Sequence, residues 1–153
     1  MNEPLSAGDI CNRVVTVTGP QTDVLQAARL MREHHVGCLV VVEGADDARR
    51  VIGMLTDRDI VTSVVAQGLD PARLRVGDVM SANPAIVPED MPFLDLLRTM
   101  RGRGLRRLPV VRPGGVLVGL VALDDTLKML AEQLQTVVEA IGSQQRRERQ
   151  RRP

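Results

Sequence analysis

An internal repeat constrains this chain more than any other feature. Gly8-Asp9-Ile10-Cys11 returns 69 residues later as Gly77-Asp78-Val79-Met80. At the same offset Leu25, Arg29, Met31 and Arg32 meet Leu94, Arg98, Met100 and Arg101, and Leu39-x-Val41-Val42 meets Leu108-x-Val110-Val111. Residues 8–42 and 77–111 share nine identities in 35 positions, against roughly two or three expected by chance at average composition. Further on the offset falls to 66, so Gly53 meets Gly119 and Asp59 meets Asp125. The missing residues fall in polar segments between apolar runs, where a hairpin loop tolerates deletion.

Each copy reads alike. Val14 to Val17 is a short β-branched run closed by Gly19-Pro20. From Thr22 to His34 the apolar positions Val24, Leu25, Ala28 and Met31 follow helical spacing, with Thr22 or Asp23 able to cap. Gly37–Val42 and Val51–Leu55 read as strands, and Thr56-Asp57 opens a helix through Ala66. The second copy repeats this: strand at Ile86-Val87, helix Met91–Arg101, strands Leu108–Val111 and Val116–Val121, and a last helix from Asp124 to about Ile141. This predicts an α+β fold of two β-α-β-β-α units with small sheets against helices, packed as a pseudo-two-fold pair. The units are assigned to 1–67 and 76–141, joined by a linker at 68–75. Residues 142–153 form an Arg-rich helical extension or tail. Units this small are marginal alone, so they are expected to share a buried face.

Composition narrows the chemistry. Among 153 residues there is no Trp, no Tyr and one Phe (Phe93), so the core is aliphatic and aromatic stacking functions are weakened. Two cysteines, Cys11 and Cys38, are too few for a disulfide framework or zinc site. The pair His34-His35 reads as helix-terminal cations rather than as metal ligands, because adjacent helical side chains diverge by about 100°. No window is long and apolar enough for a membrane span, and the N-terminus lacks a signal-peptide pattern, so a cytoplasmic location is expected. No nucleophile–base constellation, Walker loop or dinucleotide fingerprint is present, and no enzymatic activity is expected.

The ordered motifs (Gly-Asp-apolar-Met at 77–80, Ala-x-x-x-Met in the first helix, Leu-Pro-Val-Val at 108–111 and Val-Ile-Gly-Met-Leu-Thr-Asp-Arg-Asp over 51–59), on a unit repeated in tandem, resemble a pair of CBS (cystathionine β-synthase) domains, a Bateman module. The resemblance covers about residues 6 to 135. It implies two clefts, an adenosine-containing ligand such as AMP, ADP, ATP or S-adenosylmethionine, a homodimer, and output to an unidentified effector protein. No metal requirement is implied.

Candidate contacts follow residue by residue. Gly53-x-x-Thr56-x-x-Asp59 spans a strand end and a helix start, where unpaired N–H groups favour an anion. The Thr56 hydroxyl can donate to a phosphate or ribose oxygen, Asp59 can accept from both ribose hydroxyls, and Arg58 is a phosphate partner if it turns toward the cleft. Thr56 or Asp57 is equally an ordinary helix cap. The second copy, Gly119-x-x-Ala122-x-x-Asp125, keeps the carboxylate and loses the hydroxyl, so unequal sites are expected. Arg106 and Arg107 are placed to reach across to a phosphate anchored by Thr56. By family analogy adenine lies beside Val14–Thr16 and Cys38–Val40, with Val15 and Cys38 as its walls, or beside Pro84–Ile86. Residues 144–153 carry five Arg and one Glu, leaving the rest of this net +1 chain at −3. Those residues frame the alternative reading: an interaction or nucleic-acid-associated module with vestigial clefts. That extension can also prolong the last helix past Gly142.

Overall fold

The structure, a computed structural model, describes residues 4–151. Its organising feature is an exchange of arms between the repeats. Short helix α1 (Ala7–Ile10) begins the first copy, and α4 (Val76–Val79) begins the second. In each, the motif aspartate caps the turn: Asp9 accepts from the Ser6 N–H, and Asp78 from the Arg75 N–H, both at 2.9 Å. The motif glycines allow close approach, but to the opposite copy. Gly8 N–H donates to Glu89 O at 2.8 Å and Gly77 N–H to Pro20 O at 2.9 Å. Ala7 N–H reaches Met91 O, and Val76 N–H reaches Thr22 O, each at 2.8 Å. A Cβ on Gly8 would sit 3.0 Å from Glu89 O, so the residue type is set by the contact.

The first copy continues with β1 (Val17–Thr18), α2 (Val24–His34), β2 (Cys38–Glu43), β3 (Arg50–Thr56) and α3 (Asp57–Ile60), which runs into a π-helical turn at Val61–Val65. The second has β4 (Ser81–Ala82), β5 (Val87–Pro88), α5 (Phe93–Arg103), β6 (Arg107–Arg112) and β7 (Val116–Ala122). One mixed sheet has the order β1-β2-β3-β7-β6-β5, with β4 also on β3. Outer pairs β1–β2 and β5–β6 are parallel, and β2–β3 is antiparallel. The halves join where Arg50 pairs with Val116. The fold is therefore α+β, with repeated units.

The expected first strands shift. Val14–Val17 becomes Val17–Thr18, with Val14 88% exposed, because Asn12 bridges to Leu120 and the chain between is a crossover. Ile86-Val87 becomes Val87–Pro88, the chain before it being held on β3 through Ser81, Ala82 and Asn83. Asp23 caps α2, accepting from Gln26 N–H at 2.8 Å. His35 ends the helix in the left-handed conformation (φ 53°), as Gly104 (φ 62°) ends α5 at the equivalent position.

The core is aliphatic. Val24, Ala27, Met31, Leu39, Val41, Leu55, Ile60 and Val64 of the first copy cluster with Val76 of the second copy's arm. Leu39 and Leu55 have no exposed surface, and full burial of such a side chain contributes about 1.5–3 kcal/mol.

The chain divides between Val121 and Ala122 into two compact units. The second contains α6 (Leu123–Arg151), 29 residues long, so the helix expected to end near Ile141 runs through Gly142. Arg152 and Pro153 of the predicted extension lie outside the described residues.

Candidate ligand site

The end of β3 and the start of α3 place Thr56 and Asp59 one turn apart, joined by a reciprocal cap. The Asp59 N–H donates to Thr56 Oγ1 at 3.1 Å, and the Thr56 N–H donates to Asp59 Oδ2 at 2.9 Å. Thr56 Oγ1 acts here as acceptor, so its O–H remains available to donate outward. Asp59 Oδ1 has no part in the cap. The bland role and the binding role are thus compatible in one pair of side chains.

The helix start does not offer the unpaired donors expected from the sequence. The Asp57 N–H donates to Gly37 O at 3.0 Å, the Arg58 N–H to Asp57 Oδ1 at 2.8 Å, and the Asp59 N–H to Thr56. With these three donors engaged, positive charge beside Thr56 must come from side chains.

Those side chains belong to the other copy. A cavity of about 310 Å³ is lined by Cys38, Met54, Thr56 and Asp59 of the first copy. Ser81, Pro84, Ala85, Leu105, Arg106 and Arg107 of the second complete its wall. This volume is at the small end of the roughly 300–1,000 Å³ of ligand pockets. Arm exchange makes the arrangement: β4 pairs Ser81 with Met54, and the Asn83 N–H donates to Ile52 O at 3.1 Å. The segment 81–85 is thereby laid beside the end of β3. It takes the place that the sequence reading gave to Val15, which is half-buried and off this wall. Arg58 is exposed and also off the wall. Asp125 is exposed in the first turn of α6.

Met54, Ser81 and Leu105 were missed. The repeat held a signal for Ser81, since it follows the Gly-Asp-apolar-Met arm directly, but no linear pattern says which copy an arm serves.

Cys38 is buried on the wall, and burial pushes its thiol up to about 11 against the opposing pull of Arg107. It is therefore a neutral, weakly polar surface at physiological pH. Cys11 is also raised by burial. Among the described residues no three His, Cys, Asp or Glu side chains gather as a metal-ligand set. No described helix is long and apolar enough to cross a membrane. A wider groove of about 570 Å³ lies at the β5–β6 edge, walled by Ile86, Pro88, Val111 and the turn Pro113–Gly115, where Glu89 and Asp90 oppose Arg112.

Comparison with known proteins gives consistent matches. The CBS domain pattern matches twice, at residues 7–66 and 76–132. An uncharacterized Methanopyrus kandleri protein, MK0525, is 36% identical over 125 residues; the match covers 82% of this chain and 62% of that protein. Hypoxic response protein 1 of Mycobacterium tuberculosis is 38% identical over 127 residues, covering 83% of this chain and 86% of that one. A solved structure of Hypoxic Response Protein I with two coordinated zinc ions superposes with TM-score 0.69 at 36% identity, covering 80% of this chain and 97% of that one. The CBS domain pair of protein MJ0100, solved with 5′-methylthioadenosine and S-adenosyl-L-methionine, shares the fold. Its TM-score is 0.72 at 20% identity, over 86% of this chain and 99% of that one.

Proposed function

The chain belongs to the CBS-domain family with two such domains in tandem, and on that premise we propose that it is a non-enzymatic cytoplasmic regulatory module. Its ligand is an adenosine-containing molecule held in the Thr56–Arg107 cavity. One observation carries the reading: a hydroxyl and carboxylate from one copy and two guanidinium groups from the other surround a single cavity of about 310 Å³.

Each part of such a ligand has a matching surface. Asp59 accepts from the ribose hydroxyls, and its cap to Thr56 fixes its orientation in advance. The Thr56 hydroxyl and Arg106 and Arg107 take phosphate or, in S-adenosylmethionine, the carboxylate. The adenine lies against Met54, Pro84, Ala85 and the neutral Cys38. With no aromatic clamp on these walls, affinity rests on the polar contacts. The second copy lacks the hydroxyl at Ala122, so its site is the weaker. Adenosine ligands in the MJ0100 CBS pair support the ligand class. Binding biases the placement of the two copies, or of two subunits in a homodimer, and an effector protein reads that shift.

Thermal denaturation with AMP, ADP, ATP and S-adenosylmethionine tests this. A ligand that binds only the folded state raises Tm by mass action, about 2.7 kcal/mol at a hundredfold excess over Kd. No shift with any of the four at millimolar concentration would reject the reading.

A further inference from the structure

Helix α6 carries a feature the ligand cavity does not use. Leu123, Leu127, Leu130, Leu134, Val137 and Ile141 follow one another at intervals of 4, 3, 4, 3 and 4 residues. That is the 3.5-residue spacing of a helix–helix seam. The five from Leu127 onward, with Val138 beside them, are 37 to 66% exposed. A seam this regular and this wet is not expected of a finished surface. It also continues beyond residue 132, where the CBS match ends.

Charge says what covers it. Residues 123–142 hold four carboxylates (Asp124, Asp125, Glu132, Glu139) against Lys128, net −3. Residues 143–151 hold four arginines (146, 147, 149 and 151) against Glu148, net +3. A parallel partner of the same sequence would set like charge on like. An antiparallel one sets the basic end of each helix along the acidic end of the other, and opposes the two helix dipoles.

We propose that α6 self-associates with α6 of a second copy as an antiparallel pair. Apolar packing centres between Leu134 and Val137, with Leu127 facing Gln144 of the partner helix. Together the exposed seam residues offer on the order of 600 Å² per copy, most of the ~800 Å² each partner contributes to a standard interface. The proposal shares with the preceding section only the expectation of a homodimer; the ligand site is independent of it.

Sedimentation equilibrium of the full chain tests the surface. The wild type is expected to be dimeric, and Leu134→Glu/Ile141→Glu monomeric with far-UV helicity retained. If that variant loses helix, Leu134→Ala/Ile141→Ala serves instead, with dimer affinity at least tenfold weaker. Arg146→Glu/Arg147→Glu/Arg149→Glu is expected to weaken the dimer at least tenfold at low salt and less at high salt. Orientation is read by disulfide trapping in a Cys11→Ala/Cys38→Ala background. Leu127→Cys cross-links to Gln144→Cys in a mixture but not to itself, because antiparallel packing holds the two Leu127 positions about 25 Å apart. A wild type monomeric at about 100 μM overturns this proposal and the homodimer together. A dimer unaffected by the seam variants overturns the α6 surface alone. Self-linking of Leu127→Cys overturns the antiparallel arrangement. Loss of RNA or DNA binding in the arginine variant, with the dimer intact, assigns that end to nucleic acid and rejects the charge argument.

Discussion

At equivalent positions the two repeats carry different chemistry. Where the first copy has Thr56 the second has Ala122, and where the second has Arg106 and Arg107 the first has Gly37 and Cys38. The hydroxyl and the guanidinium groups are thus on opposite copies, yet one cavity is lined by both. Residues in which the two copies differ thus meet at one cavity, which the exchanged arm of the second copy helps to wall.

The comparison can be broken first at the arms. A Cβ on Gly119 would stand 2.5 Å from Cys11 Sγ and 2.7 Å from Asn12 O, a short side chain and a backbone atom that cannot yield. On Gly53 its nearest neighbour is Met80 Sδ, the far part of a flexible side chain, with Ser81 O at 3.2 Å. Gly119→Ala is expected to destabilise by about 3 kcal/mol and Gly53→Ala by about 1 kcal/mol, read by urea unfolding. Equal losses would show that the two arms seat alike.

Function gives the next contrast. Asp59→Asn keeps the cap acceptor and removes the charge, and is expected to weaken adenosine-ligand binding about 10–100-fold by calorimetry. Asp125→Asn should change it less than about threefold, if the proposed ligand takes the Thr56 side. Arg106→Ala/Arg107→Ala should cost ATP or AMP more than adenosine. A double variant binding AMP like wild type would remove the cross-copy contact.

A pH contrast separates Cys38 from its counterpart Arg107. The folded thiol titrates near 11, whereas unfolding returns it to its ordinary value of 9.0. The stability tied to the neutral thiol is complete below pH 9 and is lost between pH 9 and 11, as the unfolded chain releases its proton first. The loss is expected to be about 1–2 kcal/mol, and Cys38→Ala should flatten it in urea titrations at pH 8 and 10.5.

The smallest effect is at β1. Thr18 is buried, and its Oγ1 has no partner among the described residues, while the second copy has Val87 there. Thr18→Val is expected to stabilise by about 1 kcal/mol in thermal melts. A loss instead would mean that the hydroxyl is satisfied by solvent.

The repeat, the helices and the middle strands were legible because apolar period and offset encode them locally. A cap at Thr56 or Asp57 was legible for the same reason, but the reciprocal bond from Thr56 N–H to Asp59 was not read. What was illegible is non-local. Val14 to Val17 reads as a strand by composition, but only its end pairs, at Val17, because Asn12 belongs to Leu120 of the other copy and the chain must cross before β1 begins. The family resemblance places the ring beside Val15 or beside Pro84–Ile86, and only the exchange, which no linear pattern encodes, brings Pro84 and Ala85 to the Thr56 cavity. Donor occupancy at the α3 start was also invisible, because the Gly37 carbonyl that takes the Asp57 N–H lies 20 positions away.

The exchanged arms also bear on how the chain is made. During synthesis the first copy emerges with its core open on one flank, since Val76 has yet to leave the ribosome. Its own arm meanwhile waits for Glu89 and Met91, which come later still. Each half lacks contacts that the other's arm supplies, so the two copies are expected to unfold together, with coincident transitions by different probes. Duplication here has left two similar sequences that each complete the other's packing.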